Sequence, residues 1–276
     1  MFDDIKKINI DYIQLLKTKL PLNEPFLLTI DWLNVKYEFL VRIKNDSPNL
    51  LIFGSGAYQP STMTLPLFHR HSWINNIHDS ILFYNDPTLY LGKISLGWGH
   101  GNSERFYLED ISKLLHILAS IMNIPNQRIF FYGSSAGGFM SLILSGFIKN
   151  STAIVNNPQK NLSKYRENNV NTLFKHAHPG MKKEDILKTY ADRINVIEFF
   201  KKINYVPKIY YLQNVKSKED IENQLLPFII GLQEIDENII SNSIQLDLYS
   251  NENEGHNPLG KQKTIDYLNK IVSLKK

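Results

Sequence analysis

Short runs of β-branched and aromatic residues recur along the chain, separated first by turn signals and later by stretches with helical spacing. Residues 26–43 read as two such runs around 31–34, a hairpin, and residues 49–53 as a third strand after the turn signal at 45–48. Residues 80–84, 129–132, 153–155, 208–212 and 243–249 continue the series of strands. Between and after them, residues 109–122, 139–148, 225–235 and 261–274 predict helices. Residues 5–20 place Ile5, Ile8, Tyr12, Leu15 and Leu16 at helical spacing ahead of Pro21, and predict a peripheral amphipathic helix. Strand and helix signals alternate from residue 49 onward, which predicts an α/β fold with a mostly parallel central sheet and helices on both faces. Residues 161–204 are polar, helical in patches and broken by His178-Pro179-Gly180. They predict a helical cap insertion at about 160–205 within a single domain spanning 1–276.

The densest signal lies at residues 128–143, R-I-F-F-Y-G-S-S-A-G-G-F-M-S-L-I. Ile129, Phe130, Phe131 and Tyr132 suit a strand covered on both faces, and Gly133, Ser135 and Gly137 then spell G-x-S-x-G. At average glycine and serine usage about one chain in ten of this length carries that spacing by accident, so its context decides its meaning. Here an apolar strand precedes it and a helical run follows, with small residues Ala136, Gly137 and Gly138 where a helix must approach a sheet closely. At such a strand-to-helix turn the serine is held in a strained backbone conformation. Glycine is required two positions to either side because a Cβ there would strike neighbouring backbone. Ser135 is therefore the candidate nucleophile. Centring the motif on Ser134 would put Tyr132 and Ala136 where the glycines belong.

Composition narrows the chemistry. The 276 residues suffice for one large domain with its own core, and 43% hydrophobic with 21% charged residues is ordinary for a globular chain. The net charge of +4 is small and spread along the sequence, so nucleic acid is not an implied partner. The chain has no cysteine, which excludes disulfides, thiolate metal sites and a cysteine nucleophile together. Residues 1–19 alternate charged with apolar positions and resemble neither a signal peptide nor a membrane span, so the expected location is the cytoplasm. His69 and His71 have no acidic or third histidine partner at ligand spacing, and residues 65–76 read as a surface loop, not a metal site. The glycine-rich residues 91–101 lack the Lys-Ser/Thr ending of a phosphate-binding loop. Lying just before the helix at 109–122, they are expected near the same sheet edge as Ser135, with Trp98 and His100 as candidate substrate-binding residues.

In a parallel α/β sheet with this turn, a serine hydrolase presents its residues in the order Ser, acid, His. Of eight histidines only His256 lies beyond any plausible acid position, in a Gly-His loop between the last strand and the last helix. It is the candidate general base. The acid is expected soon after the strand at 208–212, where the turn reads Q-N-V-K-S-K-E-D; Asp220 is favoured over Glu219, with Glu254 as a more remote carboxylate. The loop Gly54-Ser55-Gly56-Ala57-Tyr58 follows an early strand, where this architecture places one of two backbone donors to an oxyanion. Gly56 or Ala57 is the expected donor there, paired with the Ala136 N–H.

At these residues the chain resembles the bacterial capsule polysaccharide O-acetyltransferases of α/β-hydrolase fold, and more distantly the glycan O-acetylating component of accessory secretion systems. The matching pieces are F-F-Y-G-S-S-A-G-G at 130–138, I-V-N-N-P-Q at 154–159 and G-H-N at 255–257, with a looser fit at 54–60. The resemblance runs from about residue 49 to the end, at low identity outside those motifs. It implies an acetyl-Ser135 intermediate, His256 as base, acetyl-CoA as donor and co-substrate with no permanently bound cofactor, and a polysaccharide or oligosaccharide acceptor. Relatives carry aspartate where Ser217 stands. Two other readings share the sequence: a carboxylesterase or deacetylase that sends the acyl group to water, and a glycan-binding subunit on a hydrolase scaffold whose triad is impaired at Ser217.

Overall fold

The structure, a computed structural model, describes residues 4–236, 238–253 and 255–274. Nine strands form one sheet: β1 (Lys6–Asp11), β2 (Pro25–Trp32), β3 (Val35–Arg42), β4 (Leu50–Phe53), β5 (Ser80–Tyr84), β6 (Ile129–Ser135), β7 (Thr152–Pro158), β8 (Lys208–Asn214) and β9 (Ile244–Tyr249). Their order is β1-β2-β3-β5-β4-β6-β7-β8-β9. β3 is antiparallel to both β2 and β5, and every other neighbouring pair is parallel. The hairpin expected at 26–43 turns through Leu33 and Asn34, both at positive φ (50° and 63°), the two-residue geometry that follows the strands' own twist.

The helices are α1 (Tyr107–Ile121), α2 (Ala136–Phe147), α3 (Glu167–Ala177), α4 (Lys183–Thr189), α5 (Ala191–Ile194), α6 (Val196–Ile203), α7 (Lys218–Asp220, a single turn), α8 (Leu226–Ile235), α9 (Ile239–Ser243) and α10 (Lys261–Ser273). The period of two along each strand sorts the core into two layers. Ile52, Phe131, Val155 and Tyr211 face one side, where Leu114 of α1, Phe139 of α2, Phe200 of α6 and Phe228 of α8 pack. Leu51, Phe130, Ile154 and Tyr210 face the other, against Leu268 and Ile271 of α10. Helices thus cover both faces, as the alternation predicted. Among the described residues no helix is long and apolar enough to cross a membrane.

The amino-terminal expectation needs correcting. Residues 5–20 hold β1 followed by a 3₁₀ turn at Tyr12–Lys17, not an amphipathic helix. Ile8, Ile10 and Tyr12 also fall at a period of two, and that face packs on the core while Ile13 and Leu16 stay exposed. Parallel pairing with β2 supplies hydrogen-bond partners that β2 would otherwise lack at the edge, and Tyr12 stacks on Trp32 at 4.4 Å.

Strand order positions the site. From β4 the chain crosses to β5 on one side, then returns to β6 on the other, so the loops leaving β4 and β6 diverge above the sheet's carboxyl edge. Such a switch point leaves a crevice where ligands bind in open α/β sheets. Gly54 leaves β4 and Ser135 ends β6 at that point.

Candidate active site

Ser135 is the hinge between β6 and α2, with φ 53° and ψ −123°. This conformation is sparsely populated for a residue with a Cβ and persists only where the surroundings enforce it. They do so by close approach. A Cβ on Gly133 would lie 2.1 Å from the Gly137 carbonyl oxygen, one on Gly137 would lie 2.6 Å from that of Gly54, and one on Gly138 would lie 2.6 Å from Pro158 Cβ. The G-x-S-x-G spacing is thus a packing requirement between β6, α2 and the β4 loop. Ser134, by contrast, is buried, and its Oγ accepts from Arg70 Nη2 at 2.7 Å.

The Ser135 Oγ lies 2.9 Å from His256 Nε2, and His256 Nδ1 lies 2.7 Å from Asp220 Oδ2. With Asp220 as acceptor, Nδ1 carries the proton and Nε2 is left to accept from the serine. Asp220 reaches the histidine from the single turn α7, which begins after Ser217 and carries the carboxylate inward three residues later. The Ser217 hydroxyl donates to the same Oδ2 at 2.6 Å. Ser217 therefore stands where relatives were expected to carry the acid, and its hydroxyl is bonded to the carboxylate that faces His256. Glu219, the alternative, is exposed on that turn, and Glu254 lies outside the described residues.

The His256 loop is tied to the sheet by three asparagines. Asn157 Nδ2 donates to the His256 and Asn257 carbonyls at 3.0 and 2.9 Å, while its Oδ1 accepts from the Asn214 N–H at 2.8 Å. Asn156 Oδ1 accepts from the Leu259 N–H at 2.7 Å. Asn214 Nδ2 donates to the Asn251 and Gly255 carbonyls at 2.8 and 2.9 Å. All three asparagines are fully buried at the ends of β7 and β8. The N-N-P-Q run singled out in the sequence is thus the mount of the histidine loop.

The expected oxyanion donors divide. Ala136 opens α2, where first-turn N–H groups have no intrahelical acceptor. The Gly56 N–H is already committed to His69 Nδ1 at 3.0 Å, which corrects its assignment as a free donor. Burial, with Arg70 and His71 beside it, lowers the His69 pKa to about 4, so this acceptor stays neutral. Among the described residues the Ala57 N–H has no hydrogen-bond partner.

Neither Trp98 nor His100 lines an open cleft, which corrects both expectations. His100 is buried against His178, Nε2 to Nε2 at 2.7 Å, and His178 Nδ1 contacts Ser103 Oγ at 2.9 Å. Trp98 is also buried, at φ 51°, and its indole N–H donates to Gln159 Oε1. Gln159 Nε2 in turn donates to Ser135 Oγ at 3.0 Å. Gln159 is the residue the sequence reading missed. In the sequence it stood as the last residue of the I-V-N-N-P-Q run, with no role assigned to it.

The sheet and the helices that cover it are similar to several solved structures. The S-formylglutathione hydrolase from Agrobacterium tumefaciens is similar to this chain over 92% of its length and 97% of that one, at a TM-score of 0.59 and 12% identity. The chain has the α/β-hydrolase fold. Within that fold, the capsule O-acetyltransferase of Neisseria meningitidis serogroup A is similar over 88% of this chain and 96% of that one, at a TM-score of 0.65 and 15% identity. A mutant of that enzyme has been solved in complex with CoA. The Gap123 glycosylation-associated complex from Streptococcus agalactiae is similar over 80% of this chain and 41% of that one, at a TM-score of 0.55 and 13% identity. No family model and no curated protein matches the sequence.

Proposed function

We propose that this α/β-hydrolase-fold protein is a serine-dependent O-acetyltransferase of a bacterial surface or capsule glycan, with Ser135 as nucleophile, His256 as general base and Asp220 as the acid that orients it. The observation that carries the reading is the unbroken line of hydrogen bonds from Asp220 through His256 to Ser135. The likeness to a capsule O-acetyltransferase, and the CoA complex of that protein, support acetyl-CoA as donor and a saccharide as acceptor.

In the first half-reaction the Ser135 O–H proton passes to His256 Nε2 while Oγ bonds to the acetyl carbon, and the carbonyl π electrons move to oxygen. Ala136 N–H and Ala57 N–H are the backbone donors we assign to that oxyanion. Collapse of the adduct breaks the carbon–sulfur bond, and His256 returns its proton to the departing thiolate. In the second half, a sugar hydroxyl gives its proton to His256 and attacks the acetyl-serine. The ester to Ser135 then breaks and His256 reprotonates Oγ. Asp220 stabilises the imidazolium formed twice in this cycle. We assign α3–α6 as the cap of the site. Tyr165, just before α3, packs edge-on against Trp98 at 5.9 Å, and a closed cap favours transfer to sugar over transfer to water. A cytoplasmic location goes with this donor.

The test is incubation with acetyl-CoA and a capsule oligosaccharide, followed by mass spectrometry. The expected result is an acceptor heavier by one acetyl group with wild-type protein and none with Ser135→Ala. Free acetate without an acetylated sugar would move the assignment to an esterase. Absence of both, with no labelling of Ser135 by a fluorophosphonate, would overturn the catalytic reading.

A further inference from the structure

We propose that Gln159 is a further catalytic residue, a side-chain donor that contacts the Ser135 oxygen at rest and passes to the oxyanion in the adduct, and that Trp98 is the positioning residue that aims it. The inference rests on the acyl-transfer reading above and adds a role to it.

The hydrogen bonds fix the direction of the carboxamide. An indole N–H is a donor only, so the Gln159 oxygen must face Trp98 and its NH₂ must face Ser135. The Ser135 hydroxyl proton is directed to His256, so Oγ offers Gln159 a lone pair. Gln159 is fully buried, and its backbone N–H donates to the Ser135 carbonyl at 3.1 Å. The residue is thus tied to the nucleophile by its main chain and its side chain together.

The fold sustains a cost to keep this arrangement. Trp98 sits at φ 51°, a strained conformation for a bulky residue, of the kind that clusters at functional sites. It is held there from the start of the same connection between β5 and α1. The buried Asp86 accepts from the Gly99 N–H at 2.8 Å, and a Cβ on Gly97 would lie 2.3 Å from Asp86 Oδ2. Two strained residues, Trp98 and Ser135, therefore meet through one carboxamide.

The chemistry supplies the need. The Gly56 N–H is engaged by His69, so Ala136 and Ala57 are the backbone donors left to the oxyanion, and Gln159 adds a side-chain donor to that pair. As Oγ bonds to the acyl carbon it loses its proton to His256 and becomes an ester-like oxygen, a weaker acceptor. Negative charge grows on the carbonyl oxygen attached to that same carbon. A donor at 3.0 Å from Oγ passes to this oxygen by a small rotation, and its bond strengthens in the transition state relative to the ground state.

The experiment is steady-state hydrolysis of p-nitrophenyl acetate and of acetyl-CoA by wild type, Gln159→Ala, Gln159→Glu, Trp98→Phe, Gln159→Ala/Trp98→Phe and Ser135→Ala, with thermal melts alongside. Gln159→Ala is expected to lower kcat by about 10²–10³ with KM little changed, the size seen for loss of one oxyanion donor. Gln159→Glu keeps the side chain's shape and its acceptor for Trp98 but lacks the donor, and is expected to lose as much; it decides the matter if the alanine variant does not fold. Trp98→Phe frees the carboxamide to flip and is expected to cost about tenfold. In the Gln159→Ala background Trp98→Phe is expected to cost nothing more, because it acts only through Gln159. Folded Gln159 variants with near wild-type kcat, or losses that multiply in the double variant, overturn the proposal while the serine reading stands, provided Ser135→Ala is dead. Retained activity in Ser135→Ala overturns both.

Discussion

Asn157 Nδ2 donates to the His256 backbone carbonyl at 3.0 Å, fastening the His256 loop to the strand beside Ser135. The bond matters because His256 lies on a loop with little packing of its own, and its ring is about one-third exposed. Ser135 and His256 are 121 residues apart in sequence, so some rigid element must hold them in register. Asn157→Ala leaves the buried Asn214 N–H without its acceptor and frees two half-buried carbonyls. The expected outcome is a loss of about 2–3 kcal/mol in denaturant titration, together with a fall in kcat that exceeds any change in KM.

The identity of the acid separates three neighbouring residues. Asp220→Asn is expected to lower kcat by about 10⁴, because an amide no longer fixes the working tautomer of the histidine. Ser217→Ala removes one charge-assisted hydrogen bond to Asp220 and is expected to cost about tenfold. Glu219→Gln is expected to leave turnover unchanged. The three rates under one assay check the assignment; a dead Glu219→Gln beside an active Asp220→Asn would reverse it.

Acid sensitivity follows from the buried histidine pair. Burial first, then His178 and Arg193 nearby, pushes the His100 pKa down from 6.5 to about 3, and burial then Arg193 takes His178 to about 4. In the unfolded chain both bind a proton near pH 6.5, whereas in the folded chain they stay neutral. Their stabilisation is therefore complete above about pH 6.5 and is lost as pH falls toward the folded values. At pH 5 the loss through His100 is about 2 kcal/mol. Tm measured from pH 7.5 to pH 5 is expected to fall, and a His100→Asn variant is expected to show a shallower slope over the same range.

Glycine substitutions distinguish close approach from loop freedom. Gly133→Ala puts a Cβ 2.1 Å from a backbone oxygen that cannot retreat without breaking the elbow, so loss of soluble folded protein is expected. Gly180 has positive φ but nothing within 4 Å of a built Cβ, so Gly180→Ala is expected to fold at a cost of about 1–2 kcal/mol. Expression and circular dichroism of the two variants check the contrast.

Local sequence by itself determined the strands from β2 onward and the elbow at Ser135. A strand's period and a turn's need for glycine are settled by sterics within a few residues, and Gly133, Ser135 and Gly137 state that need directly. The same locality misled at residues 5–20, where Ile8 and Tyr12 satisfy a period near four and Ile8, Ile10 and Tyr12 a period of two; pairing with β2 chose between them. Tertiary structure alone decided which carboxylate faces His256, that Gly56 is held by His69, and that Trp98 is joined to Ser135 through Gln159. Each of these depends on where separate loops leave one sheet edge and on which buried polar group finds a partner there. No stretch of sequence encodes such a pairing, because both of its members take their positions from the folded sheet.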